Sequence, residues 1–117
     1  MTGTRGEPVG RLTSTPEGGL AMVIDGRDYV MAAAEVKRLM EGEGSGTFLA
    51  VVPARRQGWA TRCIPGGHAK QNLFGGNVTF YTSSCICDLP GERLADVIAG
   101  ITPTATLHLI IAGRHVG

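Results

Sequence analysis

The pattern of apolar and polar positions becomes regular at Gly18. Leu20–Ile24 (LAMVI) and Arg27–Met31 (RDYVM) are strand-length runs that flank Asp25-Gly26. That dipeptide favours a type I′ hairpin, because both central residues take positive φ. A helix is predicted from about Ala32 to Glu41, with Val36, Leu39 and Met40 on one face and Gly42 to stop it. Thr47–Val52 is a continuous apolar run bounded by Gly46 and Pro53, too short for a helix and read as a buried strand.

The same order returns further on. Asn77–Thr82 alternates polar and apolar residues, and Cys85–Cys87 reads as a short strand after Ser83-Ser84. Asp88 is predicted to cap a helix with Pro90 in its first turn. The stripe Leu94, Val97, Ile98 and Ile101 marks its buried face, and Gly100 with Pro103 ends it. Ala105–Ala112 (ATLHLIIA) is the last strand.

Shifting the chain by 58 residues superimposes Gly18 on Gly76, Val36/Leu39/Met40 on Leu94/Val97/Ile98, and Gly42 on Gly100. The expectation is therefore an α+β domain at 18–117, built of two ββαβ units. The units are 18–53 and 76–111, joined by a connector at 54–75, and together form a mixed, mostly antiparallel sheet system with two helices. Residues 1–17 are rich in Thr, Gly and Pro and are read as a flexible N-terminal tail. In the connector, Gly58–Ile64 is a candidate extra strand and Pro65–Asn72 a loop.

Composition changes this picture in one respect. The chain has 117 residues and a net charge of +1, from 11 Lys and Arg against 10 Asp and Glu. Between Glu43 and Asp88, however, there is no acid, while Arg55, Arg56, Arg62 and Lys70 all fall there. Five of the six aromatic residues lie in the same stretch: Phe48, Trp59, Phe74, Phe80 and Tyr81. Basic groups attract phosphates, exposed aromatic rings give nucleobases a stacking face, and glycines let backbone N–H groups approach an anion. The expected ligand-binding residues are Arg55, Arg56, Arg62, Lys70 and His68 for charge, with Trp59 for stacking and Gly66-Gly67 for close approach. Trp59 and Phe74 flank the Gly-rich loop and are the leading stacking candidates. The bland reading of Gly66-Gly67 beside Pro65 is a surface turn, and most aromatics should belong to the core.

Three cysteines make an odd count, and no apolar run follows the charged N-terminus, so reduced thiols in a cytoplasmic setting are expected. Cys63, His68, Cys85 and Cys87 are the weaker alternative, a Cys₃His zinc site, although their spacing does not match familiar zinc motifs. The ordinary role of a free Cys is core packing. Cys87 or Cys85 with a histidine is the basis for a small thiol enzyme as a further alternative. His108 lies mid-strand and reads as a half-buried structural residue. No cofactor is implied, and no apolar run approaches the roughly 20 residues of a membrane-spanning helix. The leading expectation is a small non-enzymatic binding module for an anionic partner, either nucleic acid or a phosphate-bearing ligand, that uses segment 55–76. The alternative is a self-associating structural or assembly protein. Leu107–Ala112 is apolar on both faces and needs cover from helices or from a second subunit, which leaves room for a homo-oligomer.

Overall fold

The computed structural model describes residues 4–53 and 61–112. Among them are eight strands and two helices: β1 (Pro8–Ser14), β2 (Leu20–Ile24), β3 (Arg27–Met31), α1 (Ala33–Glu41), β4 (Ser45–Pro53), β5 (Thr61–Gln71), β6 (Asn77–Thr82), β7 (Cys85–Pro90), α2 (Gly91–Ile98) and β8 (Ala105–Ala112). Each strand pairs antiparallel with its neighbours in sequence, and β1 pairs with β8 to close a barrel. This overturns the expected α+β arrangement of two ββαβ units. The strands form one continuous cylinder, to which β1 and β5 both belong. A closed antiparallel sheet removes free edges, which two packed sheet units would have kept.

Strand alternation fills the interior. Leu12, Met22, Ile24, Tyr29, Phe48, Phe80, Leu107 and Leu109 all point inward and are buried. The large rings of Tyr29, Phe48 and Phe80 meet one another at centroid distances of 5.4 and 6.0 Å. Phe48 sits opposite Gly67 and Phe80 opposite Ala69, both on β5, so the packing pairs large side chains with small ones. The hairpin expected at Asp25-Gly26 is present, with φ of 53° and 77°.

The connections divide the barrel into two unlike ends. β3 leads into α1 and β7 into α2, so both helices lie at the same end as the β1–β2 and β5–β6 turns. Val36 and Leu39 of α1, and Leu94 and Val97 of α2, bury their stripes there. A carboxylate strap holds α1 to the sheet. Glu35 accepts hydrogen bonds from the Thr47 backbone N–H (2.9 Å) and from Arg38 (2.9 Å), and Arg38 also reaches Glu43. The opposite end carries the Asp25-Gly26 and Ser83-Ser84 turns, the start of β1, the end of β8 and the far part of the β4–β5 pair.

Two local expectations change as well. Pro8–Ser14, inside the stretch read as a tail, is a barrel strand that pairs with both β2 and β8. Asp88 is not a helix cap: it lies within β7, where its carboxylate accepts a hydrogen bond from Asn77 Nδ2 at 2.9 Å. No helix among the described residues is long and apolar enough to cross a membrane.

Candidate functional site

The β4–β5 pair is the longest in the barrel, running from Ser45↔Lys70 to Pro53↔Thr61. Its neighbours do not follow it to the end. β3 pairs with β4 only at Tyr29↔Ala50 and Val30↔Leu49, and β6 meets β5 only from Gly67 onward. Residues 51–53 and 61–66 therefore form a two-stranded ribbon that leaves the barrel wall at the end away from the helices.

The ribbon departs at a β-bulge. Phe48 opposes Gly67, but the next residue, Leu49, opposes Pro65, which leaves Gly66 as the extra residue. Gly67 has φ +153°, and a β-carbon on it would overlap the Tyr81 carbonyl oxygen and lie 2.9 Å from the Phe48 ring. A β-carbon on Gly66 would lie 2.9 Å from the Tyr29 ring. The Pro65–Asn72 stretch read as a loop is therefore mostly strand. Its glycines have a packing reason to be there, because they bend the strand and make room for two core rings. Proline is tolerated at such a bulge, where regular ladder bonding is already interrupted.

The residues proposed from the sequence separate as follows. Arg55, Arg56 and Trp59 lie outside the described residues. Arg62 is exposed on the ribbon opposite Val52, on the same ribbon face as Ala50 and Ile64, which continues the inward side of β4. His68 and Lys70 are exposed on the outer barrel wall. The bulge and the alternation thus place Arg62 on one face and His68 with Lys70 on the other. His68 lies flat against Tyr81 of the neighbouring strand, with centroids 4.6 Å apart and planes inclined by 11°. Phe74 is 90% exposed in the β5–β6 turn at the helix end, at the opposite end of β5 from the ribbon. Among the described residues the only ion pairs are those of Arg38 with Glu35 and Glu43, so Arg62 and Lys70 have no acidic partner there.

The zinc alternative does not assemble. Cys85 and Cys87 are inward and buried, whereas Cys63 and His68 are exposed on the ribbon and outer wall. No group of three or more potential metal ligands occurs among the described residues. Burial pushes the Cys87 thiol well up, reinforced by nearby Cys85, which is the reverse of what a nucleophilic thiolate needs. His108 is half-buried in β8, paired in register with Asp88.

No known protein family, characterised protein or solved structure matches the chain. Function therefore has to follow from the chemistry of the site.

One feature of the ribbon end was not legible in the sequence. A cleft of about 410 Å³ opens between the ribbon and the β2–β3 turn, lined by Arg27, Asp28, Tyr29, Val52, Ile64 and Ser83 among others. The two turns that contribute to it are more than fifty residues apart, and only barrel closure makes them neighbours. Tyr29 forms the cleft floor, and burial raises its phenol above the ordinary value against the opposing effect of Thr82.

Proposed function

We propose that this protein is a small non-enzymatic binding module. It engages an anionic partner, nucleic acid or a phosphate-bearing ligand, through the acid-free segment 55–76. A cytoplasmic setting belongs to this reading. The observation that supports it best is the outer wall formed by β5 and β6. The His68–Tyr81 stack presents an aromatic surface there, with Lys70 two residues along the same face and no acid anywhere from β4 to β6. A stacked pair beside an ammonium with no ion-pair partner among the described residues suits a base next to its phosphate. Arg62 adds a cation on the ribbon, next to the cleft lined by both Arg27 and Asp28. The buried thiols with a raised Cys87 give the thiol-enzyme alternative no support.

Fluorescence anisotropy with a labelled single-stranded oligonucleotide tests this reading. Affinity is expected to fall steeply with salt. Neutralising Lys70 and Arg62 together should lower the log–log salt slope by about 1.4, at about 0.7 for each phosphate left unneutralised. Absence of binding at low salt, or a slope unchanged in the double variant, would sink the proposal.

A further inference from the structure

The outer wall on the other side of the barrel carries a different pattern. In register across four strands lie Thr106 of β8, Arg11 of β1, Val23 of β2 and Asp28 of β3, all exposed. Val23, an apolar side chain left 46% exposed, stands midway between a cation and an anion. Adjacent strands are roughly 4.8 Å apart, so Arg11 and Asp28 sit on the order of 10 Å from each other with Val23 between them. Neither has an ion-pair partner among the described residues. Towards the helix end the next row, Thr13, Ala21, Val30 and Leu49, is uncharged. Towards the β2–β3 turn, Asp25 follows two residues beyond Val23, and its N–H bonds the Val9 carbonyl. Two hollows flank Val23. One, of about 320 Å³, is lined by residues including Arg11, Asp28 and Val51, and the other, of about 500 Å³, by Pro8, Gly10, Arg11, Val23 and Thr106.

From this pattern we infer that the β1–β2–β3 wall is an isologous interface that binds a second copy of this chain. A two-fold interface requires a surface complementary to itself. Plus–apolar–minus, read across the strands, meets that requirement for one axis direction. With the axis in the interface plane and running along β2 through Val23, Val23 meets its own copy. Arg11 of each molecule then faces Asp28 of the other. An axis across the strands would instead set both Arg11 on Arg11 and Asp28 on Asp28. The first arrangement forms two opposite-charge pairs and brings only Asp25, at the β2–β3 turn on the edge of the wall, towards its copy. Charge therefore selects the first. The 320 Å³ hollow beside Asp28 gives the incoming guanidinium room to reach its carboxylate. This inference does not depend on the anionic-partner reading, since Arg62, His68 and Lys70 lie outside this wall.

Sedimentation equilibrium of the full chain tests it. The wild type should form a dimer. Arg11→Asp leaves two anions on the face and Asp28→Arg leaves two cations. Each variant alone should dimerise at least about tenfold more weakly, because a two-fold interface carries every substitution twice. An equimolar mixture of the two variants should recover the dimer as a heterodimer, since each anion then meets a cation. That recovery also shows that neither variant is misfolded. A wild-type monomer at all concentrations, a dimer insensitive to both substitutions, or a mixture that stays monomeric would overturn the inference.

Discussion

The two ends of the barrel use the same strands for opposite purposes. At the helix end, α1 and α2 bury Val36, Leu39, Leu94 and Val97, and the Glu35 strap ties α1 to the start of β4. At the ribbon end the wall opens on both sides of β4–β5, and Thr61–Pro65 are exposed. The contrast shows how a barrel of this size combines stability with recognition. Apolar burial is concentrated where chain crossovers supply helices. The backbone irregularity, a glycine bulge and a splayed pair, is concentrated where a ligand could be met.

Cutting back the packing should test that division most strongly. Leu94→Ala and Leu39→Ala each remove a fully buried side chain and should destabilise the fold by about 3 kcal/mol. Ile64→Ala on the ribbon, where the side chain is 37% exposed, should cost clearly less, about 1 kcal/mol. Urea unfolding midpoints at unchanged m-value measure both, and equal losses at the two ends would contradict the contrast.

A smaller effect concerns the strap. The Thr47 N–H and then the Arg38 guanidinium hold the Glu35 carboxyl below its usual range. The folded state therefore binds this proton more weakly than the unfolded chain does. The stabilisation is fully present above the ordinary carboxylate value and is lost as pH falls through the lowered one. Glu35→Gln should be less stable at neutral pH and show a flatter acid limb. Unfolding midpoints taken across the acid range would reveal an unchanged limb if the strap is idle.

The smallest effect is expected where the helix end itself is exposed. Leu73 and Phe74 are 91% and 90% exposed in the β5–β6 turn. Replacing both with Ser should change stability by no more than about 0.5 kcal/mol. Thermal unfolding of the double variant measures it, and a larger loss would show that this turn packs on the helix end.

Much of the local structure was legible in the sequence. The strands at 20–24, 27–31, 77–82 and 105–112 and both helices follow from apolar spacing and turn residues. β1 did not announce itself, and of β5 only the part at 61–64 did, within the candidate strand Gly58–Ile64. The two share a related reason. Their inward positions include Gly10, Gly67 and Ala69, small residues that accommodate the rings and backbone opposite, so the alternation that marks a strand is faint. In β5 the Pro65-Gly66-Gly67 run also carries the signature of a surface turn while serving as a bulge. With β1 taken as a tail and most of β5 as a loop, one barrel reads as two units. Of the candidate site, the charge asymmetry could be read directly. The opposition of Arg62 to His68 and Lys70, and the stacking of His68 on Tyr81, depend on a bulge and a cross-strand register that local composition does not encode.

The seam between β1 and β8 has a kinetic consequence. Every other pairing in the barrel joins strands that follow one another along the chain, whereas Leu12 meets Ala105 across almost its whole length. The entropy of closing so long a loop rises only logarithmically, yet no local turn helps it form. The hairpins can therefore assemble before this seam does. The proposed interface between copies lies beside it, with Arg11 on β1 and Thr106 just across the junction. Arg11, Val23 and Asp28 all belong to the β1–β2–β3 hairpins, so association through that wall can precede the seam. The order of dimer signal and barrel closure during refolding would show which forms first.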